Sequence, residues 1–304
     1  MRNSRTLILA FAAGAFFAAP IRATAQQSDP VSGLLAQLAS PQVTIRFAGF
    51  YALLSVSPAQ NAVNPAQTAN SVTAGVFGLL RTFPGDKPQI VAALNQLLIV
   101  ENTDPSLSTL ASDPDDESPG DFYGDVIEAV AALKDSSSIP ALTGAIDTGG
   151  MATGTLASFG PAALPSVLPA VYSSDITKRA AAAFTLVEML SPTYLGLVSD
   201  AVSQSFIRAG LQRAVGSFAS SSTYQFMAAP YQAALAGMAA VPAGDLNGDG
   251  AVNCADLAII KASFGKAVTE AGFDIRADVN GDGVVNVLDL SIEAKMLPAG
   301  TMCR

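Results

Sequence analysis

Two twelve-residue segments near the C-terminus constrain this 304-residue chain more than any other feature. The first reads Asp245-Leu246-Asn247-Gly248-Asp249-Gly250-Ala251-Val252-Asn253-Cys254-Ala255-Asp256. The second begins 33 residues later and reads Asp278-Val279-Asn280-Gly281-Asp282-Gly283-Val284-Val285-Asn286-Val287-Leu288-Asp289. Counting the following Leu257 and Leu290, nine of thirteen positions are identical. Oxygen-bearing side chains fall at loop positions 1, 3, 5, 9 and 12, with glycine at position 6. That spacing wraps a calcium ion in the manner of an EF-hand loop. Positions 1, 3 and 5 reach the ion, position 7 offers its backbone carbonyl (Ala251, Val284), position 9 acts through water, and position 12 closes the shell. Gly250 and Gly283 permit the sharp turn. The expected ligands are therefore Asp245, Asn247, Asp249, Ala251, Asn253 and Asp256, then Asp278, Asn280, Asp282, Val284, Asn286 and Asp289, for two calcium ions.

The rest of the composition agrees with oxygen-only metal chemistry. The chain has no histidine, two cysteines and no tryptophan. Without His there is no Ser-His-Asp or Cys-His catalysis and no His-ligated zinc, copper or haem. Two Cys cannot build a four-thiolate centre. With 25 acidic against 16 basic groups, net −9, phosphate backbones would be repelled, so no nucleic-acid partner is expected.

Residues 1–25 read as a secretory signal peptide. Arg2 and Arg5 give the positive start, Leu7 to Ala19 is almost wholly apolar, and Ala23-Thr24-Ala25 is an A-x-A cleavage site. Removing that segment leaves 13 basic and 25 acidic groups, net −12. No later apolar run reaches about 18 residues, so no membrane span is expected and the chain reads as secreted, extracellular or at a cell surface. An oxidising compartment permits a Cys254–Cys303 disulfide, which would clamp the C-terminus back onto the first loop.

Residues 26–240 are rich in Ala, Leu and Val at three- and four-residue spacing, which predicts an all-α domain. Such stripes run through Val31, Leu34, Leu35 and Leu38; Val43, Phe47, Phe50, Leu53 and Leu54; Ile90, Leu94, Leu97 and Leu98; and Val126, Ile127, Val130 and Leu133. Others follow at Ile139–Leu142, at Ala163–Val171 and from Lys178 to Leu190. An Arg early in an Ala-rich helix occurs twice, at Arg46 and Arg179, and Ile139-Pro140-Ala141-Leu142 is echoed by the segment 163–169. These features resemble HEAT/armadillo-type repeats and imply an α-solenoid-like stack of roughly five units of about 40–47 residues. A compact irregular helical bundle is the alternative. The acidic run Asp113–Asp121 is either a solvated inter-helix loop or a cation-binding or partner-docking loop. Val241-Pro242-Ala243-Gly244 separates this domain from a C-terminal module, 241–304.

Each repeat of that module is a loop followed by an exit helix, expected over Leu257–Phe264 and Leu290–Leu297, with no convincing entering helix. Position 12 is Asp where an EF-hand usually has Glu. The paired arrangement over about residues 244–299 resembles a type I dockerin domain. That resemblance implies structural calcium and a cohesin-type protein partner recognised by positions 10 and 11 of each loop and by polar residues along each helix. In this chain those positions are Cys254 and Ala255, with Lys261 and Lys266 downstream, and Val287 and Leu288, with Lys295. The hydroxyl pair common in one recognition class of the family is absent from both copies.

The functional expectation is a secreted, non-catalytic interaction or scaffold protein. Two alternatives stand beside it: an exported polysaccharide-processing enzyme carrying a dockerin, and a cell-surface structural protein in which the module only stabilises the terminus. A glycosidase needs two carboxylates facing across a cleft, and Glu128 and Glu188 are the only acids well inside the expected helices of residues 26–240.

Overall fold

A computed structural model describes residues 30–56, 68–104, 119–148 and 150–303. The signal peptide expected at 1–25 lies outside the described residues, as does the acidic run up to Ser118; Pro119 opens a helix. Eleven α-helices precede the C-terminal module among the described residues. They are α1 (Pro30–Leu38), α2 (Val43–Ser55), α3 (Thr68–Thr82), α4 (Lys87–Glu101), α5 (Pro119–Leu133), α6 (Ile139–Gly144), α7 (Gly150–Ser158), α8 (Leu164–Ala170), α9 (Ile176–Met189), α10 (Ala201–Ala219) and α11 (Ala228–Gly237). Two more, α12 (Cys254–Ser263) and α13 (Val287–Met296), belong to the module. The fold is all-α.

Punctuation in the sequence sets these lengths. Pro88, Pro140 and Pro165 stand in the first turns of α4, α6 and α8, where a missing N–H costs nothing and φ is already helical. Asp175 and Asp200 cap α9 and α10, accepting hydrogen bonds from Thr177 N–H at 2.8 Å and Ser203 N–H at 2.8 Å. The apolar stripes then bury on near neighbours in the chain: α1 on α2, α3 and α4 on α5, α7 on α9, and α9 and α11 on α10. One connected core runs from Val31 through Phe50, Leu94, Phe122, Leu142 and Leu186 to Phe218 and Tyr231. Phe47, Phe50 and Tyr51 meet Phe122 with ring centroids 5.2, 5.6 and 6.2 Å apart.

Arg46 and Arg179 both stand fourth in their helices, yet they do different things. Arg46 is buried, pairs with Glu101 and Asp104, and donates to the carbonyls of Ser40 at 2.9 Å and Pro41 at 3.1 Å. With its charge neutralised and four acceptors engaged, it locks the α1–α2 turn onto the end of α4. Arg179 instead lies over the Phe218 ring, 5.3 Å from its centroid.

The longest helix, α10, was not among the stripes read from the sequence, because Ser203, Gln204, Ser205, Gln212 and Arg213 dilute its apolar pattern. Its buried face is Ile207, Gly210, Leu211, Ala214 and Phe218. Gly210 is needed for close approach: a Cβ there would lie 2.5 Å from Leu186 Cδ1 and 2.9 Å from Leu168 Cδ2. Beyond α11 the chain stays against α10, where Arg208 donates to the Ala239 carbonyl at 2.6 Å, and the C-terminal module packs on the same helix.

Candidate functional site

The two loops fold by local hydrogen bonding, which explains why they could be read without tertiary information. Asp245 accepts from the N–H groups of Gly248 at 2.7 Å, Asp249 at 3.1 Å and Gly250 at 2.8 Å. Asp278 accepts from Asp282 N–H at 3.0 Å and Gly283 N–H at 2.9 Å. Gly250 and Gly283 both have φ of +90°, a conformation that side chains disfavour. Asn247 and Asp249, like Asn280 and Asp282, turn their side-chain oxygens inward against following backbone N–H groups. The position-7 carbonyls of Ala251 and Val284 each accept from the position-9 amide of Asn253 and Asn286.

The exit helices begin three residues earlier than expected, at Cys254 and Val287. The reason is a complete capping box in both repeats. Asn253 and Asn286 cap the helices, accepting from Ala255 N–H and Leu288 N–H at 2.8 Å each. Asp256 and Asp289, at the third helical position, reach back to the cap N–H at 2.9 and 2.8 Å. The same carboxylates tie down the start of the loop: Asp256 accepts from Leu246 and Asn247, and Asp289 from Asn280. Position 12 thus fixes loop and helix together, and the shorter Asp side chain suffices for that reach.

Asp245, Asp256, Asp278 and Asp289 are all buried, and among the described residues the ion pairs are Arg46 with Glu101 and Asp104, and Arg276 with Asp274. These four buried carboxylates form no ion pair and are held by backbone N–H donors, so a cation placed among them would be attracted. The donor set is Asp, Asn and carbonyl oxygen only, so a hard divalent cation fits. Among the described residues no three His, Cys, Asp or Glu side chains are already gathered as a metal cage. The oxygen donors at the loop positions include Asn side chains and backbone carbonyls as well as carboxylates.

A small core joins the repeats: Ile260, Ala277 and Val285, with Leu246, Ile259, Phe273, Val279 and Leu290 around it. The segment 265–268 pairs with the second loop, through Gly265 N–H to Val285 O at 2.8 Å, Val285 N–H to Lys266 O at 2.8 Å and Val268 N–H to Gly283 O at 3.0 Å. Cys254 and Cys303 are bonded, with Cα atoms 5.4 Å apart. Closing a loop of 49 residues confers about 4 kcal/mol in the chain-entropy picture.

The residues expected to meet a partner are mostly outward. Ala255, Lys261 and Lys295 are exposed, Lys266 is half-buried, and Val287 and Leu288 are 62% and 55% exposed. Sequence reasoning missed Glu293, which follows Ile260 by the same 33-residue offset that relates the loops. Aligning the helices as well as the loops would have found it. Glu293 is fully buried, and neither carboxylate oxygen has a hydrogen-bond donor. Burial, followed by the nearby Asp256 and Asp245, pushes its carboxyl up to about 7.

The module meets the helical domain through its loops. Tyr172, just after α8, donates its hydroxyl to Asp278 Oδ2 at 2.7 Å and packs edge-on against Phe273, centroids 5.8 Å apart. Arg276 lies 3.9 Å over the Phe206 ring centroid and donates to Ser205 Oγ at 3.3 Å. Between the two parts lies a cleft of about 340 Å³ lined by Arg208, Arg213 and Arg276 together with Asp245 and Asp278. Among the acids weighed for hydrolysis, Glu128 accepts from Thr73 N–H at 3.2 Å and its hydroxyl at 2.7 Å, and Glu188 is half-buried.

No helix among the described residues is long and apolar enough to cross a membrane. No curated protein and no solved structure matches the chain. Residues 243–297 match the family model of the dockerin type I domain, and the C-terminal module is such a domain.

Proposed function

We propose that this chain is an exported, non-catalytic interaction protein whose C-terminal module folds around two calcium ions and docks onto a cohesin-type partner. Type I dockerin domains bind calcium, and a domain of this kind implies a protein partner. In this reading, Asp245, Asn247, Asp249, the Ala251 carbonyl, Asn253 and Asp256 hold one ion. Asp278, Asn280, Asp282, the Val284 carbonyl, Asn286 and Asp289 hold the other. The observation that carries the reading is the pair of matching loops, each closed by a buried position-12 carboxylate that also caps its helix. Calcium supplies the positive charge those carboxylates lack.

The partner face belongs to the second repeat. Val287 and Leu288 stand exposed at the start of α13, whereas Cys254 at the matching place in α12 is tied to Cys303. In this reading the all-α domain that precedes the module supplies a second surface for a partner.

The test is calorimetric calcium titration of the full chain, followed by capture of a cohesin with and without chelator. Two calcium sites and calcium-dependent capture are expected. The double variant Asp245→Ala/Asp278→Ala should lose at least a hundredfold in calcium affinity and all capture. Capture that survives chelator, or a chain that takes up no calcium, would sink the reading. Polysaccharide hydrolysis by the chain would transfer it to the enzyme alternative.

A further inference from the structure

Every hydrogen bond that shapes the first loop comes from the module itself, although Gly248 packs against Ala201 and Ser205 of α10. The second loop is different. Asp278, its first position, receives a hydrogen bond from Tyr172, 106 residues earlier in the helical domain. The Tyr172 ring also covers the loop backbone, since a Cβ on Gly283 would lie 3.6 Å from Tyr172 Cδ1. Arg213 stacks over that ring, 4.8 Å from its centroid, and its Cδ would lie 3.4 Å from a Cβ on Gly281. Phe273 braces the ring edge. Tyr172 is therefore held in place by both parts of the molecule, with its one donor aimed at one carboxylate oxygen.

The geometry points to a calcium-linked clamp: Tyr172 acts as the outer partner that orients Asp278 for the second calcium ion, so that filling the second loop and seating the module on α10 reinforce each other. This rests on the calcium reading given above. A hydrogen bond to a ligating carboxylate holds it in the orientation the ion needs, and removing such a partner typically weakens metal binding by 10–100-fold. The support comes from the hydroxyl and not from Arg213, whose positive charge opposes a neighbouring cation. Coupling between two sites is reciprocal. If docking strengthens the second site, calcium at that site must strengthen docking by the same factor. Seating also involves Arg276 on Phe206 and Ser205, so the contact that calcium tightens is a surface of α10, not a single bond.

The two sites can be read separately in the full chain. Gly250 N–H donates to Asp245 Oδ2 and Gly283 N–H to Asp278 Oδ2, so the amide resonance of each glycine reports its own loop. The experiment is a calcium titration followed by those two resonances, with hydrogen–deuterium exchange across Ala201–Ala219 measured alongside. In the wild-type chain, calcium should slow exchange in α10. Tyr172→Phe keeps the ring and its packing; it should weaken the Gly283 site about tenfold and leave the Gly250 site as it was. Asp278→Asn changes no residue of the helical domain, and calcium should then slow α10 exchange much less than it does in the wild type, the remainder coming from the first loop, where Gly248 lies against Ala201 and Ser205. Equal second-site affinity in Tyr172→Phe and wild type would overturn the clamp, as would α10 exchange in the wild type that ignores calcium. If the wild-type chain shows no calcium response at either glycine, the calcium reading itself fails, and the clamp fails with it.

Discussion

Asp245 and Asp278 hold the same place in two nearly identical loops, yet Asp245 draws its donors from its own loop while Asp278 also accepts from Tyr172. The helices that follow diverge in the same way. In the first, Cys254 is bonded to Cys303 and Ile260 fills the small core; in the second, Val287 faces outward and Glu293 lies buried at the place matching Ile260. Most of the residues that the repeats share hydrogen-bond within a loop, although Asp278 also reaches Tyr172 and Val285 joins the small core. Several of the differences fall on residues with unlike surroundings, such as Cys254 in the disulfide and Val287 on the open face. The loop is therefore a fixed device, and each copy is adapted at positions 2, 7, 10, 11 and 16 to its own surroundings: disulfide, core, neighbouring domain or open face.

The largest stability effect expected from breaking this asymmetry is loss of the disulfide. Cys254→Ser/Cys303→Ser should lower the module's unfolding free energy by about 4 kcal/mol, read from denaturant melts of calcium-loaded protein. A change below about 1 kcal/mol would mean that calcium already confines the unfolded chain. Next comes the core position that the repeats fill differently. Ile260→Ala should cost about 3 kcal/mol by emptying a fully buried site, whereas Glu293→Ile should stabilise the calcium-free module by removing a buried, unpartnered carboxylate. Equal costs for the two changes would show that Glu293 has a partner in solution.

The effect that is smallest per step of the experiment is a pH dependence. The folded Glu293 carboxyl titrates near 7, above its ordinary value of 4.5, so the native state holds the proton more tightly than the unfolded chain. Its contribution to stability is fully present below about pH 4.5, falls as pH rises towards 7, and is constant above that. In calcium-free protein the fall should be no steeper than about 1.4 kcal/mol per pH unit, and Glu293→Gln should abolish it. Thermal melts at closely spaced pH values measure both slopes; equal slopes for the two proteins would rule out this origin.

The legible parts of the sequence were those whose causes are local. The two twelve-residue loops, the capped helices and the apolar stripes from Val31 to Leu190 depend on residues within a few positions of one another. The exit helices started early because a capping box needs only four consecutive residues, and Asn253 and Asn286 supply its first member. What escaped was long-range or diluted. Tyr172 carries no sign of Asp278, 106 residues away, and α10 hides its buried stripe among serines and glutamines. The family match agrees with this division, since it covers residues 243–297, where the local pattern is strongest.

The bond between Cys254 and Cys303 has a topological consequence. It turns the chain from the first exit helix onward into a covalent ring containing α12, the second loop and α13. The exposed turn at Thr269–Gly272 lies within that ring. A protease that cuts there opens the ring but releases nothing: the second loop and α13 stay tethered to α12 through sulfur. The face bearing Val287 and Leu288 is thus protected against one backbone break, a tolerance that an unbridged module would lack.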